Sequence, residues 1–300
     1  MKDQYDVAVV GATGLVGETM LNVLEQRDFP VGRLILLASE RSAGKRVEFR
    51  GRHVPVQNLA DFDFEGVDIA LFSAGGSISA EFAPRAAAAG CIVIDNTSYF
   101  RYDESVPLVV PEVNPEALAG YAARNIIANP NCSTIQMLVA IKPVYDAFGI
   151  ERINVATYQA VSGAGRKEVE RLAGEAARLL NGSPIEQDGE RKQIAFNAVP
   201  HIDDFQENGY TKEEMKMVWE TRKILGDDAI AVNPTAVRVR VGCGPSEAVQ
   251  IGPREPGSAH RVRDRVSAAR GVTVVGDRRL GGEPTAGSDG AVRGVGLGGG

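Results

Sequence analysis

DVAVVGATGLVG, residues 6–17, joins a predicted strand to a predicted helix through a glycine-rich turn. The β-branched run Asp6–Val10 is typical of a strand buried on both faces of a parallel sheet, and Glu18–Gln26 has a helical pattern. Glycines between them let the backbone approach a pyrophosphate, which the N–H groups of the helix N-terminus can bind. The spacing is GxxGxxG rather than GxGxxG, so the flanking strand and helix are what indicate dinucleotide binding. The residues predicted to bind the cofactor here are Gly11, Ala12, Thr13, Gly14, Leu15 and Val16.

The next predicted strand, residues 33–38, ends in a loop that bears on the choice of cofactor. Glu40 can hold a ribose 2′-hydroxyl, as an acidic residue does in NAD-preferring domains. However, the loop surrounds Glu40 with hydroxyls and positive charges, which suit a 2′-phosphate better: Ser39, Arg41, Ser42 and Lys45. We therefore predict NADP, and the alternative that stays open is a solvated surface loop.

Two more strands, residues 68–72 and 91–95, alternate with a helix predicted for residues 79–89. This alternation indicates an α/β fold with a doubly wound, Rossmann-like parallel sheet, whose ligands lie beyond the carboxyl ends of the strands. Ser73 and Gly75 follow the first of these strands and are assigned to the cofactor. Arg101 follows the second and can clamp an anion. Cys91, inside an apolar strand, is expected to be core.

Composition limits the classes of partner and compartment. The net charge of −6 argues against nucleic acid as a partner, and no apolar run reaches the ~20 residues that cross a bilayer. Met1–Asp6 leads straight into a strand and leaves no room for a signal peptide. Three widely spaced cysteines do not form a disulfide framework, so the cytoplasm is expected. No metal site is predicted.

Asn129–Thr134, NPNCST, is the candidate catalytic segment. Pro130 biases Asn129 towards an extended conformation, and the residues from Thr134 to Ile141 have the spacing of a mostly buried helix. Asn131 is a good N-cap, which puts Cys132 in the first helical turn. Unpaired N–H groups and the helix dipole there favour a thiolate, and hence a nucleophile. The alternative is that Cys132 is a small buried apolar residue.

These segments, with others further along, resemble the bacterial type of aspartate-semialdehyde dehydrogenase. The matching motifs, in order from Gly11 to about Val239, are GATGLVG, LASERSAGK, LFSAGGS, VIDNTSYFR, VPEVN, NPNCSTIQM, TYQAVSGAG, AFNAVPHID, EEMKMVWETRKI and VRV. The related N-acetyl-glutamyl-phosphate reductases fit TYQAVSGAG and EEMKMVWETRKI less well.

The resemblance implies two domains and a shared subunit interface. Residues 1–130 would bind NADP, and residues 131–285 would form an α+β catalytic and dimerisation domain. The Gly-rich tail, residues 286–300, is expected to be disordered. Family members are homodimers or homotetramers, and the amphipathic stretch Glu168–Leu180 can pack at such an interface. The family chain continues some tens of residues beyond Gly300.

The resemblance also implies a reaction. L-Aspartyl-4-phosphate is reduced by NADPH to L-aspartate 4-semialdehyde, with release of phosphate, in the biosynthesis of lysine, methionine, threonine, isoleucine and diaminopimelate. Cys132 would form an acyl-thioester, and Asn131 would help to stabilise the oxyanion.

The resemblance also implies ligand roles for individual residues. The resemblance implies Gln159, Glu213 and Arg238 as substrate ligands, Arg101 and Lys216 as phosphate ligands, and Ser162 and Gly163 as cofactor ligands. Each has an ordinary alternative. Gln159 can be a simple hydrogen-bonding surface residue, and Glu213 with Lys216 can be a surface pair one helical turn apart. Arg238, in a strand that alternates with valine, is either an ion-pair member or a ligand clamp.

One position departs from the family pattern. The acid/base histidine is expected where this chain has Pro245, which has no titratable group. The loss of a positioned acid/base typically costs about 10²–10⁴-fold in rate. His53 is expected in a turn, His201 to be structural and His260 to lie in the divergent tail, so none is predicted to substitute. The alternative function is therefore a catalytically inactive homologue that binds NADP or a partner subunit.

Overall fold

The computed structural model describes residues 2–185, 192–242, 244–275 and 291–293. The chain divides into two compact units. The first comprises Met1–Val109 and Asn114–Pro130, and the second comprises Val110–Val113 and Asn131–Gly300.

The first unit is built on one sheet. Its elements are β1 (Tyr5–Val10), α1 (Leu15–Gln26), β2 (Val31–Ala38), β3 (Arg46–Phe49), β4 (Arg52–Asn58), β5 (Ile69–Phe72), α2 (Gly76–Ala88), β6 (Ile92–Asp95) and β7 (Ile126–Ala128). The seven strands have the order β3-β4-β2-β1-β5-β6-β7, and all neighbours are parallel except β3 and β4. The predicted doubly wound parallel sheet is confirmed, with one antiparallel edge strand that the sequence patterns did not indicate.

Strand β1 lies at the centre of this sheet, between β2 and β5. Val7, Val9 and Val10 are almost completely buried, as the β-branched run predicted. Helix α1, however, begins at Leu15 rather than at the predicted Glu18. The reason is that the backbone N–H of Glu18 already donates to the carbonyl of Gly14, so the helical hydrogen bonds start inside the glycine turn. Cys91 is buried, as expected, and burial raises its pKa to about 11.

The second unit contains a four-stranded sheet and the longer helices. Its elements are α3 (Cys132–Phe148), β8 (Ile150–Gln159), α4 (Arg166–Leu180), β9 (Ala198–Val199), α5 (Lys212–Leu225), β10 (Ala231–Val239), β11 (Ser246–Pro253), α6 (Ala259–Ser267), β12 (Thr273–Val275) and β13 (Ala291–Arg293). The sheet has the order β11-β8-β10-β9, with β8 and β10 parallel and the two outer pairs antiparallel. Helices α3 and α5 pack on this sheet and on each other. The predicted α+β class is confirmed.

The C-terminal tail is described only in part. Within residues 286–300, Ala291–Arg293 form β13, which pairs in parallel with β12. The rest of the predicted disordered tail lies outside the described residues. No helix in the described part of the chain is long and apolar enough to span a membrane.

Candidate active site

The glycine turn of the first unit is shaped by close backbone contacts. A Cβ on Gly11, whose φ is +89°, would lie 2.7 Å from the carbonyl oxygen of Ser73. A Cβ on Gly17 would lie 2.3 Å from the carbonyl oxygen of Gly11. Real Cβ atoms do not approach so closely, so these positions require glycine. The turn therefore presents bare backbone at the carboxyl end of β1.

The other predicted cofactor loops of this unit lie beside the turn. The Thr13 and Ser42 hydroxyl oxygens are 3.5 Å apart, and the N–H of Ser73 donates to the carbonyl of Val10 at 2.9 Å. Gly14 and Gly75 are the N-cap residues of α1 and α2 and have no side chain with which to cap them. The first-turn N–H groups of both helices are thus suited to phosphate oxygens. Of the predicted cofactor residues, Gly11–Gly14, Ser39, Arg41, Ser42, Ser73 and Gly75 follow the ends of β1, β2 and β5, and Leu15 and Val16 are the first two residues of α1.

Arg101 also belongs to the first unit. It is buried, and its Nη2 donates to the carbonyl of Asn96 at 3.0 Å. This contact fixes the guanidinium near the end of β6.

Helix α3 of the second unit begins at Cys132, and Asn131 is its N-cap, as predicted. The Asn131 Oδ1 accepts hydrogen bonds from the N–H groups of Ser133, at 3.0 Å, and Thr134, at 3.4 Å. The Asn131 backbone N–H donates to Glu220 Oε2 at 2.7 Å, and its Nδ2 donates to Glu213 Oε1 at 3.0 Å. Two carboxylates of α5 therefore hold the residue that precedes the cysteine.

Cys132 is exposed at the start of α3, although the surrounding protein still reduces the solvation of its thiol. This desolvation, together with the negative charge of Glu213, raises the pKa of the thiol, while hydrogen bonding by Ser133 acts in the opposite direction. The prediction that the thiolate is favoured here is therefore wrong in direction, because desolvation and the carboxylates of Glu213 and Glu247 raise the pKa of the thiol.

Glu213 is the centre of a buried hydrogen-bonded cluster. Gln159 Nε2 donates to Glu213 Oε1 at 3.0 Å and to Ser133 Oγ at 3.1 Å. Lys216 Nζ lies 2.9 Å from Glu213 Oε2 and 2.8 Å from Asp203 Oδ2. Glu213 is only 7% exposed, which excludes the surface-pair interpretation.

Glu213 and Lys216 stabilise each other's charged form. Burial opposes ionisation of Glu213, yet Lys216 and the two amide donors lower its pKa. Burial likewise opposes the charge of Lys216, yet Glu213 and Asp203 raise its pKa. Both groups are therefore ionised at neutral pH, and the ammonium predicted to bind phosphate is already held by two carboxylates.

Arg238 lies opposite Gln159 in the register of β10 and β8. Its Nη1 donates to the carbonyl of Ala160 at 2.7 Å, and burial lowers its pKa. Among the described residues no carboxylate lies within ion-pair distance of this guanidinium. Ser162 and Gly163 also belong to the second unit. Gly163 lies beside Arg238, since a Cβ built on it would be 3.6 Å from Arg238 Nη1. A cavity of about 340 Å³ opens next to Arg238 and is lined by Glu168, Arg171, Lys192, His201 and Asp203 among others.

Three polar residues of the cluster were not singled out from the sequence. Glu220 is fully buried, and its spacing of seven from Glu213 on one helix was the available signal, since such residues share a helix face. Ser133, the residue after Cys132, is fully buried. Glu247 lies on β11, opposite Thr157 of β8, and burial raises its pKa to about 8. No pattern within β11 marks Glu247.

Pro245 precedes β11, and the histidines lie elsewhere. His53 is in β4 of the first unit, opposite Glu48, and not in a turn as expected. His201 stacks on Phe205 with ring centroids 4.6 Å apart, and His260 Nδ1 pairs with Asp264 at 2.8 Å. Within the described ranges, no three His, Cys, Asp or Glu side chains are arranged to hold a metal ion.

Two family models match this chain. Residues 6–121 match the NAD binding domain of semialdehyde dehydrogenase, and residues 141–295 match the dimerisation domain of semialdehyde dehydrogenase.

Individual relatives agree with these models. The chain is 62% identical over 274 residues to aspartate-semialdehyde dehydrogenase 2 of Vibrio cholerae, covering 91% of this chain and 81% of the relative. It is 58% identical over 286 residues to the aspartate-semialdehyde dehydrogenase of Legionella pneumophila, and the match covers 95% of this chain and 82% of the relative. A crystal structure of aspartate semialdehyde dehydrogenase II from Vibrio cholerae, complexed with ASA, superposes with a TM-score of 0.90 at 58% identity, covering 95% of this chain and 87% of that one.

Proposed function

The chain belongs to the aspartate-semialdehyde dehydrogenase family, and from this premise we propose which of its residues perform the family reaction. As a member, it is an NADP-dependent oxidoreductase of amino-acid biosynthesis that interconverts L-aspartyl-4-phosphate and L-aspartate 4-semialdehyde. Residues 1–130 would act as the NADP-binding domain and residues 131–285 as the catalytic and dimerisation domain.

The first unit fits a dinucleotide phosphate. Gly11 and Gly17 exclude side chains from the turn, and the uncapped first turn of α1 supplies N–H donors to a pyrophosphate. Ser39, Arg41 and Ser42 surround the position suited to a 2′-phosphate, with Ser42 near Thr13. Bound NADP supplies the hydride acceptor, and NADPH the donor, for the oxidation and reduction of the substrate carbon. Ser162 and Gly163, in the second unit, complete the assigned cofactor ligands.

Cys132 is the proposed nucleophile. Its Sγ attacks the acyl carbon of aspartyl phosphate, a carbon–sulfur bond forms, and the phosphate leaves with the electrons of the broken carbon–oxygen bond. The Asn131 amide stabilises the oxygen that becomes negative in this step. The observation that supports this assignment best is the anchoring of Asn131 by Glu213 and Glu220, which fixes the start of α3 directly beside the thiol.

The charges around Cys132 match an α-amino acid. Arg238 has no ion pair within the described residues and is therefore ready to bind the α-carboxylate. Glu213 is ionised and suits the α-ammonium group, while Gln159 bridges Glu213 and Ser133 and positions the substrate chain. We assign these three residues to substrate binding.

Phosphate binding is assigned to Arg101 and Lys216, each on the observations of its own unit. Arg101 is a buried cation that its contact with Asn96 holds in place. Lys216 would exchange one of its carboxylate partners, Asp203 or Glu213, for the phosphate oxygen.

The chain is proposed to act as a homodimer or homotetramer in the cytoplasm. Along β8, buried Val155 and Thr157 alternate with Ala156 and the exposed Tyr158, so one sheet face is left for a second copy. Leu180, at the end of α4, is 77% exposed and gives the same indication. The cytoplasm is proposed because Cys91 and Cys132 are unpaired.

The direct experiment measures phosphate-dependent reduction of NADP with aspartate semialdehyde. The wild-type chain is expected to turn over and Cys132→Ser to lose activity by at least about 10³-fold. Pro245→His is included because it restores the family histidine, and an increase in rate would show an intact site with a weaker acid/base. Binding of NADP without turnover in the wild type and in Pro245→His would instead identify a catalytically inactive homologue, the candidate that Pro245 favours.

A further inference from the structure

Glu247 is a buried carboxyl group that no role described so far employs. It lies on β11, which packs against α3, and it is opposite the fully buried Thr157 of β8. Its Oε1 is buried and makes no hydrogen bond with a described atom, and burial raises the pKa of the carboxyl to about 8. A group that titrates near neutral pH beside a nucleophile is suited to take up and return a proton.

Ser133 connects this carboxyl to the nucleophile. It is fully buried in the first turn of α3, and its hydroxyl interacts with the Cys132 thiol and with the Glu247 carboxyl. Its Oγ also accepts a hydrogen bond from Gln159 Nε2 at 3.1 Å, which fixes the oxygen between the two groups. A hydroxyl has one proton to donate and two lone pairs, so it can give a proton to one neighbour while receiving one from another.

We propose that Ser133 and Glu247 form the proton relay of Cys132, with Glu247 as the proton acceptor and donor that this chain uses in place of a histidine; this inference rests on the proposed function. In the oxidative direction the thiol proton passes to Ser133 Oγ, while the Ser133 proton passes to the Glu247 carboxylate. The sulfur then forms a bond to the aldehyde carbon, and the carbonyl oxygen becomes an alkoxide. The Glu247 carboxyl then returns its proton to Ser133 Oγ while Ser133 gives its own proton to the alkoxide oxygen, which yields the neutral thiohemiacetal, so that atoms and charges balance.

The charged surroundings allow this role. The groups that interact with Glu247 directly are the neutral side chains of Gln136 and Ser133, so no fixed cation holds its carboxylate. The titratable and charged groups of the same cluster are Cys132 on α3, Glu213, Lys216 and Glu220 on α5, Asp203 before α5 and Arg238 on β10. Lys216 pairs with Glu213 and Asp203, and Glu220 accepts the Asn131 N–H, which leaves Glu247 as the carboxyl suited to change its protonation near neutral pH.

A comparison of thiol reactivity with turnover separates the relay from a purely electrostatic role of Glu247. The negative charge of Glu247 raises the pKa of Cys132. In Glu247→Gln the thiol is therefore expected to ionise at lower pH and to react faster with iodoacetamide below the wild-type thiol pKa. Peptide mass separates alkylation of Cys132 from that of Cys91 and Cys243. If Glu247 acted by its charge alone, this more ionised thiol would also give unchanged or faster turnover.

The relay predicts the opposite effect on turnover. The wild-type rate of semialdehyde oxidation is expected to rise with pH through an ionisation near 8. Glu247→Gln is expected to lose about 10²–10⁴-fold in kcat with little change in KM, and to lose this pH dependence. Ser133→Ala is expected to lower kcat in the same way with the carboxyl retained. Glu247→Asp keeps a carboxyl and is expected to keep the pH dependence at a reduced rate.

The matched control is Glu151→Gln, which removes an exposed carboxylate from β8. It is expected to change neither the rate of Cys132 alkylation nor kcat and its pH dependence. Unchanged or increased kcat in a folded Glu247→Gln chain would overturn the relay, as would a wild-type pH profile without an ionisation between about 7 and 9. An inactive wild-type chain would overturn the proposed function and the relay together. An active wild type with a fully active Glu247→Gln variant would overturn the relay alone.

Discussion

The turn from Gly11 to Gly17 in the first unit is packed so closely against backbone atoms that it has no room for side chains at these two glycines. The cluster around Cys132 in the second unit, by contrast, is held together by hydrogen bonds and ion pairs between side chains. The turn depends on Cβ positions 2.3 and 2.7 Å from carbonyl oxygens. The cluster depends on hydrogen bonds between α3 and two carboxylates of α5, Glu213 and Glu220. We therefore expect one added methyl group to disrupt the glycine turn, and the loss of one buried charge to disrupt the cluster around Cys132.

This difference also decides how far each region can be altered without unfolding the chain. The glycine contacts are with backbone atoms, which cannot move aside as a flexible side chain can. The carboxylates of the cluster are buried, and each satisfies donors that would otherwise be unpaired. Four substitutions, from the largest expected effect to the smallest, test this contrast.

Gly17→Ala is expected to have the largest effect on stability. Its Cβ would lie 2.3 Å from the Gly11 carbonyl oxygen, and overpacking of this kind costs roughly 3 kcal/mol of unfolding free energy. Thermal unfolding with and without NADP measures both the loss of stability and the loss of cofactor binding. The control is Gly120→Ala in the same unit, where the nearest atom, Pro107 Cβ, is 3.8 Å away and the change should be within about 0.5 kcal/mol. Equal stability of the two variants would contradict the backbone interpretation of the turn.

Glu220→Gln tests the side-chain region. The carboxylate accepts the Asn131 N–H at 2.7 Å, and replacement by an amide weakens this charge-assisted bond, at a cost of about 2 kcal/mol. Because Asn131 precedes Cys132, kcat is expected to fall more than KM rises. Urea denaturation and steady-state kinetics measure the two effects. Glu207→Gln, an exposed position before α5, serves as the control and should change neither value. A variant with full activity would show that Asn131 does not need this anchor.

Glu175→Gln extends the test to a buried carboxylate outside the candidate site. Glu175 accepts the N–H groups of Ile194 and Ala195 and pairs with Arg171, and the substitution is expected to cost about 1–1.5 kcal/mol at neutral pH. Burial opposes its ionisation, but these donors lower its pKa below the ordinary value of 4.5.

The sign of the pH dependence follows from that shift. A lowered native pKa means that the stabilisation is fully present above pH 4.5 and is lost as the pH falls through the native value. The difference in unfolding free energy between wild type and Glu175→Gln should therefore shrink below pH 4.5. A difference that stays constant on acidification would contradict the assignment. Glu170→Gln, at an exposed position of the same helix, is the control.

Asp146→Asn is expected to have the smallest effect. Lys142 Nζ lies 2.6 Å from Asp146 Oδ1, but Asp146 is 56% exposed and the pair is one turn apart on α3. Such pairs contribute about 0.3–0.5 kcal/mol and are screened by salt. Urea denaturation at low and high ionic strength measures the change. A loss above about 1 kcal/mol would remove the distinction between buried and surface carboxylates.

The first unit was the easier of the two to predict from sequence. The conformation of Asp6–Val10 and of the turn after it depends mainly on residues close together in the chain. The structure accordingly contains both the central strand and the close glycine contacts. The antiparallel edge strand β3 was not predicted, because its residues Arg46–Phe49 alternate in burial without a long apolar run. The early start of α1 was missed because the turn itself contributes the first helical carbonyl.

The candidate site of the second unit was predictable only in part. Asn131 as N-cap follows from local sequence, but Glu220 is 89 residues away in the chain and no local pattern connects the two. The pKa of Cys132 was predicted in the wrong direction, since the helix end is visible in the sequence and the carboxylates that approach it are not. Glu247 was missed for the same reason, because its burial against α3 depends on the packing of β11.

The most direct test of Cys132 as the nucleophile of this cluster is intact-protein mass spectrometry after rapid acid quench of the chain mixed with L-aspartyl-4-phosphate. The expected result is a single aspartyl adduct, mapped by peptide mass to Cys132 and absent from Cys132→Ala. An adduct on another residue, or NADPH-dependent turnover by Cys132→Ala at the wild-type rate, would contradict it.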